Sequence, residues 1–223
     1  MCFPTRIHTD LPFELLGVLF DVQLTMGEAV AECASEAHWR LSAVLRTRRY
    51  FSVLDLVLQY KSQVLSYVEY RTCAVSHAAD THLYHLDSAQ RRFLTNVGFS
   101  NVEALRIYNL VPLSCRRDIS NLGIIYRAIT KRGPKKLWKF FKLDNTSRRT
   151  SPRWNFHRYQ ISDVYRNLHR DYINRSTFGY IQVFNLLPDV VFMMEGEQIA
   201  ISVKDLQRNL NNLLKMASFN AEN

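Results

Sequence analysis

The sequence predicts a mainly α-helical fold with one short β-hairpin near its N-terminal end. Three observations carry this expectation. The 223 residues include only 7 Gly and 6 Pro, too little turn material for a many-stranded β fold. Apolar residues recur at helical spacing in successive segments, several of them opened by capping pairs. The stretch ELLGVLFDVQLTM, beginning at Glu14, reads as a tight hairpin leading into a helix, with Gly17 suited to the turn because it lacks a Cβ.

The elements follow in order. Thr25 with Glu28 has the form of a capping box, and Val30, Ala34, Ala37, Leu41 and Val44/Leu45 then mark a first helix that ends among Arg46, Arg48 and Arg49. Positive charge suits that end of a helix dipole. Ser52 and Asp55 cap a second, long helix with the stripe Leu56, Tyr60, Val64 and Tyr67/Val68. It is apolar around much of its surface, so it is expected at the centre, with five or six helices packed around Leu56–Val68. A third helix runs from about Thr81 to Asn96 and stops at Gly98. A short fourth opens at Ser100 with Glu103 and ends near Tyr108. After Pro112 a fifth carries Leu113, Ile119/Ser120, Gly123, Tyr126/Arg127 and Thr130, and Gly133–Pro134 stops it. From Pro134 to about Arg158 the sequence turns basic, aromatic and aperiodic, which predicts a loop with one short amphipathic turn. SDVYRNLHRDYIN is expected to be helical and FGYIQVFNLLPDVVFM mostly extended. A last helix is capped by Ser202 and Asp205.

Composition is that of a globular chain, with 47% hydrophobic and 22% charged residues. No apolar run approaches the roughly 18–20 residues that span a bilayer, and MCFPTRIHTD lacks the pattern of a secretory signal. The cysteines Cys2, Cys33, Cys73 and Cys115 form no CxxC pair; they read as reduced, mostly buried thiols of an intracellular protein. The net charge is +9. The whole excess lies in residues 131–175, where thirteen lysines and arginines face three aspartates. Such a window suggests local contact with a polyanion.

Much chemistry is missing. Two-metal polymerases and nucleases need clustered carboxylates, and the chain has no Asp-Asp pair and no DxD. Asp21 is a lone acid at a turn. His77, His82 and His85 lack cysteine or carboxylate partners at ligand spacing. No phosphate-cradling glycine loop and no nucleophile elbow occurs. No cofactor is expected. What is present is the basic window: Lys131, Arg132, Lys135, Lys136, Lys139, Lys142, Arg148, Arg149 and Arg153, interleaved with Trp138, Phe140, Phe141, Trp154 and Phe156. Cations neutralise phosphates and aromatic faces stack on bases. The competing reading is a solvated basic loop whose aromatics dock on the helical core. KRGPKK also has the look of a nuclear-import signal.

Six stretches in order resemble a known family: FELLGVLFDVQLTM, AHWRLSAVLRTRRYF, LVLQYKSQVLSYVEYRT, LDSAQRRFLTNVGFSNVEAL, YNLVPLSCRRDISNLGIIYR and RSTFGYIQVFNLLP. Together they are similar to the C-terminal part of reverse transcriptases of non-LTR (LINE-type) retrotransposons. The resemblance spans about Phe13 to Leu214 and is weakest in the basic window and around MMEGEQIA. It implies that Leu15, Leu16, Gly17 and Val18 occupy the place of the primer grip, the hairpin that follows the palm. It implies a helical thumb-like bundle behind them, gripping template–primer backbone. Arg40, Arg46, Arg48, Arg49 and Lys61 are then candidate contacts. Arg91, Arg92, Arg116 and Arg117 are candidates too, unless they pair with Asp87 and Asp118 across helix turns.

The same resemblance places the catalytic carboxylates, and the magnesium they hold, upstream in a palm whose motif this sequence does not contain. The chain is thus expected to be a post-catalytic fragment that does not polymerise DNA alone. Its expected organisation is an end-of-palm hairpin over 1–26, a thumb-like domain over 27–132, a basic aromatic linker over 133–160 and a small C-terminal region over 161–223. The expected partner is RNA or an RNA–DNA duplex. Two rival expectations are a helical protein-interaction module whose hairpin is covered by a partner, and an enzyme subunit that needs a palm supplied by another chain.

Overall fold

A computed structural model describes residues 11–144, 157–163, 174–193 and 201–220. The fold is mainly helical with a two-stranded antiparallel hairpin near its N-terminal end. The chain divides into two compact units, Met1–Phe99 and Ser100–Asn223. The segment read as a linker, 133–160, contributes through its described residues to the second unit.

In the first unit β1 (Phe13–Leu15) pairs with β2 (Val18–Phe20), setting Phe13 opposite Phe20 and Leu15 opposite Val18. The two phenylalanine rings stack at 5.2 Å. Leu16 and Gly17 make the turn at φ 52° and 75°, the pair of positive angles a two-residue hairpin loop demands. Gly17 adopts this at no steric cost; Leu16 does not.

The Thr25–Glu28 capping box does not form. Helix α1 (Gly27–Arg46) begins after a fully buried Met26 in the left-handed region. The Asp21 carboxylate instead accepts from the N–H groups of Thr25 (2.7 Å) and Met26 (2.9 Å), and from the Thr25 hydroxyl (2.5 Å). The Thr25 N–H that a capping box would give to the Glu28 carboxylate, and the hydroxyl that would face the Glu28 N–H, are both engaged by Asp21. Although burial pushes the Asp21 pKa up, these hydrogen bonds together hold it below the ordinary carboxylate value. Asp21 is thus a capping residue.

The second helix is interrupted. Helix α2 (Val53–Gln59), opened by the expected Ser52–Asp55 capping box, continues as a π-helical stretch (Tyr60–Leu65) into α3 (Ser66–Val75). The wider turn brings Val64 and Leu65 both inward. Ser62, Gln63, Ser66, Glu69 and Tyr70 are exposed, so this helix is amphipathic and not central. That place belongs to α1, which packs on β2, on all parts of the second helix, and most extensively on α4 (Asp80–Val97). Pairs from His38 with Ser88 (2.9 Å) to Arg48 with Asn96 (3.0 Å) advance together, so α1 and α4 run parallel. Thr47 with Gln59 (3.2 Å) and Arg40 with the Gln63 carbonyl (3.5 Å) run oppositely, so the second helix is antiparallel to α1. Tyr60 stacks on Phe93 at 4.3 Å inside this three-helix bundle. Gly98, at φ 82°, ends α4 and donates its N–H to Leu94 O, as expected of a left-handed cap.

The second unit is built on α6 (Leu113–Ile129), which is preceded by α5 (Asn101–Tyr108) behind its Ser100–Glu103 capping box. Leu113, Arg117, Ile119, Asn121, Leu122, Gly123, Ile125, Tyr126, Ala128 and Ile129 are all buried, far more than the one stripe predicted. A Cβ on Gly123 would meet Gln207 at 3.3 Å and Val203 at 3.4 Å, so glycine there admits the close approach of the last helix. The left-handed residue after α6 is Lys131 (φ 57°), not Gly133; the N–H groups of Arg132 and Gly133 both reach Arg127 O. A short α7 (Lys135–Trp138) follows. The run FGYIQVFNLLP is helical, not extended: α8 spans Tyr180–Leu186, with Ile181 and Phe184 buried on one side, and a 3-10 turn covers Asp189–Phe192. Pro188 holds Leu187 in the extended region and ends it. Helix α9 (Val203–Asn220) begins at Ser202 and Asp205 as expected. The helix expected over SDVYRNLHRDYIN, like residues 145–156 and 194–200, falls largely outside the described residues.

Candidate nucleic-acid interface

The basic segment is fastened to the second unit by its apolar residues. Phe141 is buried and stacks on Phe178 at 5.5 Å. Leu137 packs against the same core. The Trp138 indole N–H donates to Gly133 O (3.0 Å). Leu143 bridges to Ile161, and the N–H groups of Ser162 and Asp144 bond to the Lys142 and Gln160 carbonyls. Behind this bridge the Asn185 side-chain amide imitates a strand, accepting from Ile161 N–H (2.9 Å) and donating to Ile161 O (2.8 Å). With Leu137 and Phe141 turned inward, Lys135, Lys136, Lys139 and Lys142 are left exposed. Lys139 lies 5.0 Å over the half-exposed Phe140 ring.

Two of the expected aromatic stackers are therefore structural: Phe141 is core, and Trp138 is tied to its own loop. Arg132 has a fixed job, donating to Ile201 O at 2.7 Å beside the Tyr126 hydroxyl, which donates to the same carbonyl at 3.1 Å. Lys131 stands exposed at the left-handed turn. Arg148, Arg149, Arg153, Trp154 and Phe156 lie outside the described residues.

His157 anchors the far side of the segment. Its Nε2 pairs with Phe184 O at 2.8 Å and its Nδ1 accepts from Tyr159 N–H at 3.1 Å. Donating on one nitrogen and accepting on the other, the ring is neutral. It is packed 4.2 Å from Phe192, and burial lowers its pKa from 6.5.

In the first unit Arg46, Arg48 and Arg49 are brought together at the C-terminal end of α1, all exposed. Lys61 is half-buried on the π-helical stretch, two residues beyond the Gln59 that meets Thr47 at the end of α1. Arg40 is committed, paired with Glu36 at 2.8 Å and lying 4.2 Å over Tyr67. Arg91 lies 4.0 Å over Tyr84. Arg117 is buried, Arg116 Nε donates to Val111 O (3.2 Å), and Asp118 accepts from the Tyr180 hydroxyl (2.7 Å). Burial, with that hydrogen bond, pushes the Tyr180 pKa well up.

The primer-grip-like residues are divided by the hairpin: Val18 is buried, while Leu15 and Leu16 are 54% and 77% exposed. Sequence reasoning did not find what holds this turn. Arg71 donates to Gly17 O at 2.8 Å and Tyr70 to Leu16 O at 3.2 Å; Arg71 also lies 4.5 Å over Tyr67. No local pattern announces a contact between residues 54 positions apart.

Among the described residues no group of His, Cys, Asp and Glu could hold a metal ion, and no helix is long and apolar enough to cross a membrane. His77 pairs with Leu24 O at 2.9 Å. Cys33 is buried, and burial raises its pKa. Cys73 is exposed and Cys115 half-buried, all three as free thiols, so among the described cysteines burial holds fully only for Cys33; Cys2 lies outside the described residues. No family model matches the chain, and neither a curated protein nor a solved structure matches it.

Proposed function

We propose that this chain grips the sugar–phosphate backbone of RNA or an RNA–DNA duplex without a polymerase site of its own. This is the role its resemblance to the post-catalytic part of non-LTR retrotransposon reverse transcriptases implies. One observation carries the reading: Lys135, Lys136, Lys139 and Lys142 are exposed on a segment whose Leu137 and Phe141 are fixed in the core. Charges on an anchored backbone meet a phosphate row with less ordering cost than charges on a free loop.

The test is the salt dependence of affinity for an RNA–DNA duplex. Changing the four lysines to glutamine should flatten the slope of log K against log salt by about 3–4. An unchanged slope overturns the reading. A second reading, a protein partner covering the hairpin, is favoured by the exposure of Leu15 and Leu16. It predicts weak salt dependence and a stable hetero-complex that Leu16→Asp abolishes.

A further inference from the structure

The C-terminal end of α1 presents an open aromatic ring, Tyr50, next in sequence to three exposed arginines. Thr47, Arg48 and Tyr50 each donate their N–H three residues back, to Val44, Leu45 and Thr47. The chain thus winds tightly from the helix to the Ser52–Asp55 capping box that opens α2. This winding holds Arg46, Arg48 and Arg49 within about one turn of Tyr50 along the chain. Arg48 is fixed by its bond to Asn96, whose amide donates in turn to Arg92 O near the end of α4 (2.8 Å). Arg92 is itself exposed there.

The nearest acid in sequence, Asp55, is engaged by the Ser52 N–H and hydroxyl (3.3 and 2.6 Å). Tyr67 and Tyr84 have guanidinium groups over their faces. Tyr50 is 84% exposed, beside a Phe51 that is 46% exposed. A large aromatic ring on a hydrogen-bonded turn, open to water and within four residues of three exposed arginines, has the two components that single-stranded nucleic acid requires. Cations take its phosphates and a ring takes its base. In a duplex interior both base faces are already covered, so the ring gains nothing there.

We propose that Tyr50, with Phe51 beside it, is a stacking site for an unpaired base, and that Arg46, Arg48, Arg49 and Arg92 bind the adjoining phosphates. The ligand class is single-stranded RNA or DNA, or a frayed strand end. This rests on the nucleic-acid reading above but on different residues in the other unit.

The experiment compares the full chain binding a short oligoadenylate and a blunt RNA–DNA duplex of equal length, over a salt series. Tyr50→Ala should weaken oligoadenylate binding roughly 5- to 150-fold, leave the duplex affinity unchanged, and leave the salt slope unchanged because no charge is lost. Tyr50→Phe should restore the binding. Arg46→Gln with Arg49→Gln should reduce the single-strand slope by about 1.4. A thermal melt confirms that these exposed substitutions keep the fold. Unaltered oligoadenylate binding by Tyr50→Ala, or equal loss on both ligands, overturns the stacking site. If the four-lysine variant still loses its salt slope, the backbone reading survives that failure. If Tyr50→Ala is selective while the lysine variant keeps its slope, the stacking site stands and the lysine segment falls. A wild-type chain that binds neither ligand overturns both.

Discussion

Phe141→Ala tests whether the basic segment is built into the second unit. The ring is 5% exposed and stacked on Phe178. Truncating a buried phenylalanine removes about 1.5–3 kcal/mol of transfer free energy. The cavity and lost ring contact bring the usual total to about 3–5 kcal/mol. Against the roughly 5–15 kcal/mol that holds a domain together, that is a large fraction. Phe140, exposed by 37% and meeting Phe178 edge-on at 5.9 Å, should cost under about 1 kcal/mol when changed to alanine. Because the chain has two units, a single global midpoint would mix them. The assay is urea unfolding followed by hydrogen exchange, resolved to α6 and α8 in the second unit and to α1 and α4 in the first. Phe141→Ala should lower the protection of α6 and α8 and leave α1 and α4 unchanged. It should also weaken duplex binding, although no charge is altered. If Phe141→Ala is as harmless as Phe140→Ala, the segment is a loose linker, and the argument that anchored lysines favour phosphate binding fails with it.

Two further outcomes follow from single contacts. The folded His157 resists protonation while its unfolded counterpart takes up a proton near pH 6.5. The unfolded state thus binds more protons in the window below 6.5. Stability contributed by this group is complete above that pH, falls as pH drops toward the lowered folded value, and is flat beneath it. Urea midpoints between pH 5 and 8 should show this slope, and His157→Gln should remove it; an unchanged slope would assign the effect to other groups. Arg71→Ala should free the hairpin turn by removing the donor to Gly17 O. Amide exchange in 13–20 should accelerate while that of α4 does not, and unchanged exchange would mean that the strand pairing, the Tyr70 bond to Leu16 O and the burial of Val18 hold the hairpin without Arg71.

Features that rest on neighbouring residues could be read directly from the chain. Ser52 with Asp55, Ser100 with Glu103 and Ser202 with Asp205 open helices because a short oxygen acceptor reaches N–H groups three residues on. Gly98 closes α4 because a residue without Cβ takes a positive φ cheaply. The hairpin turns at Gly17 for the same reason. The basic window was legible as charge, since charge is composition.

Features that depend on packing and on competition between partners emerged with folding. Thr25 is a local exception, since its N–H and hydroxyl go to Asp21 four residues back, a competition between acceptors that no capping pattern weighs. The run around Ile181 and Phe184 became helical because one side of it meets the core of α6, and an apolar run of that length suits helix and strand alike. The stripe Leu56–Val68 was read as central from its composition. Yet centrality is a property of what surrounds a helix, and α1 and α6 hold that place in their separate units. The aromatics of the basic window show the same division. Their mixture with lysine is written in the chain, but whether Phe141 faces a base or Phe178 depends on a residue 37 positions away, brought there by folding.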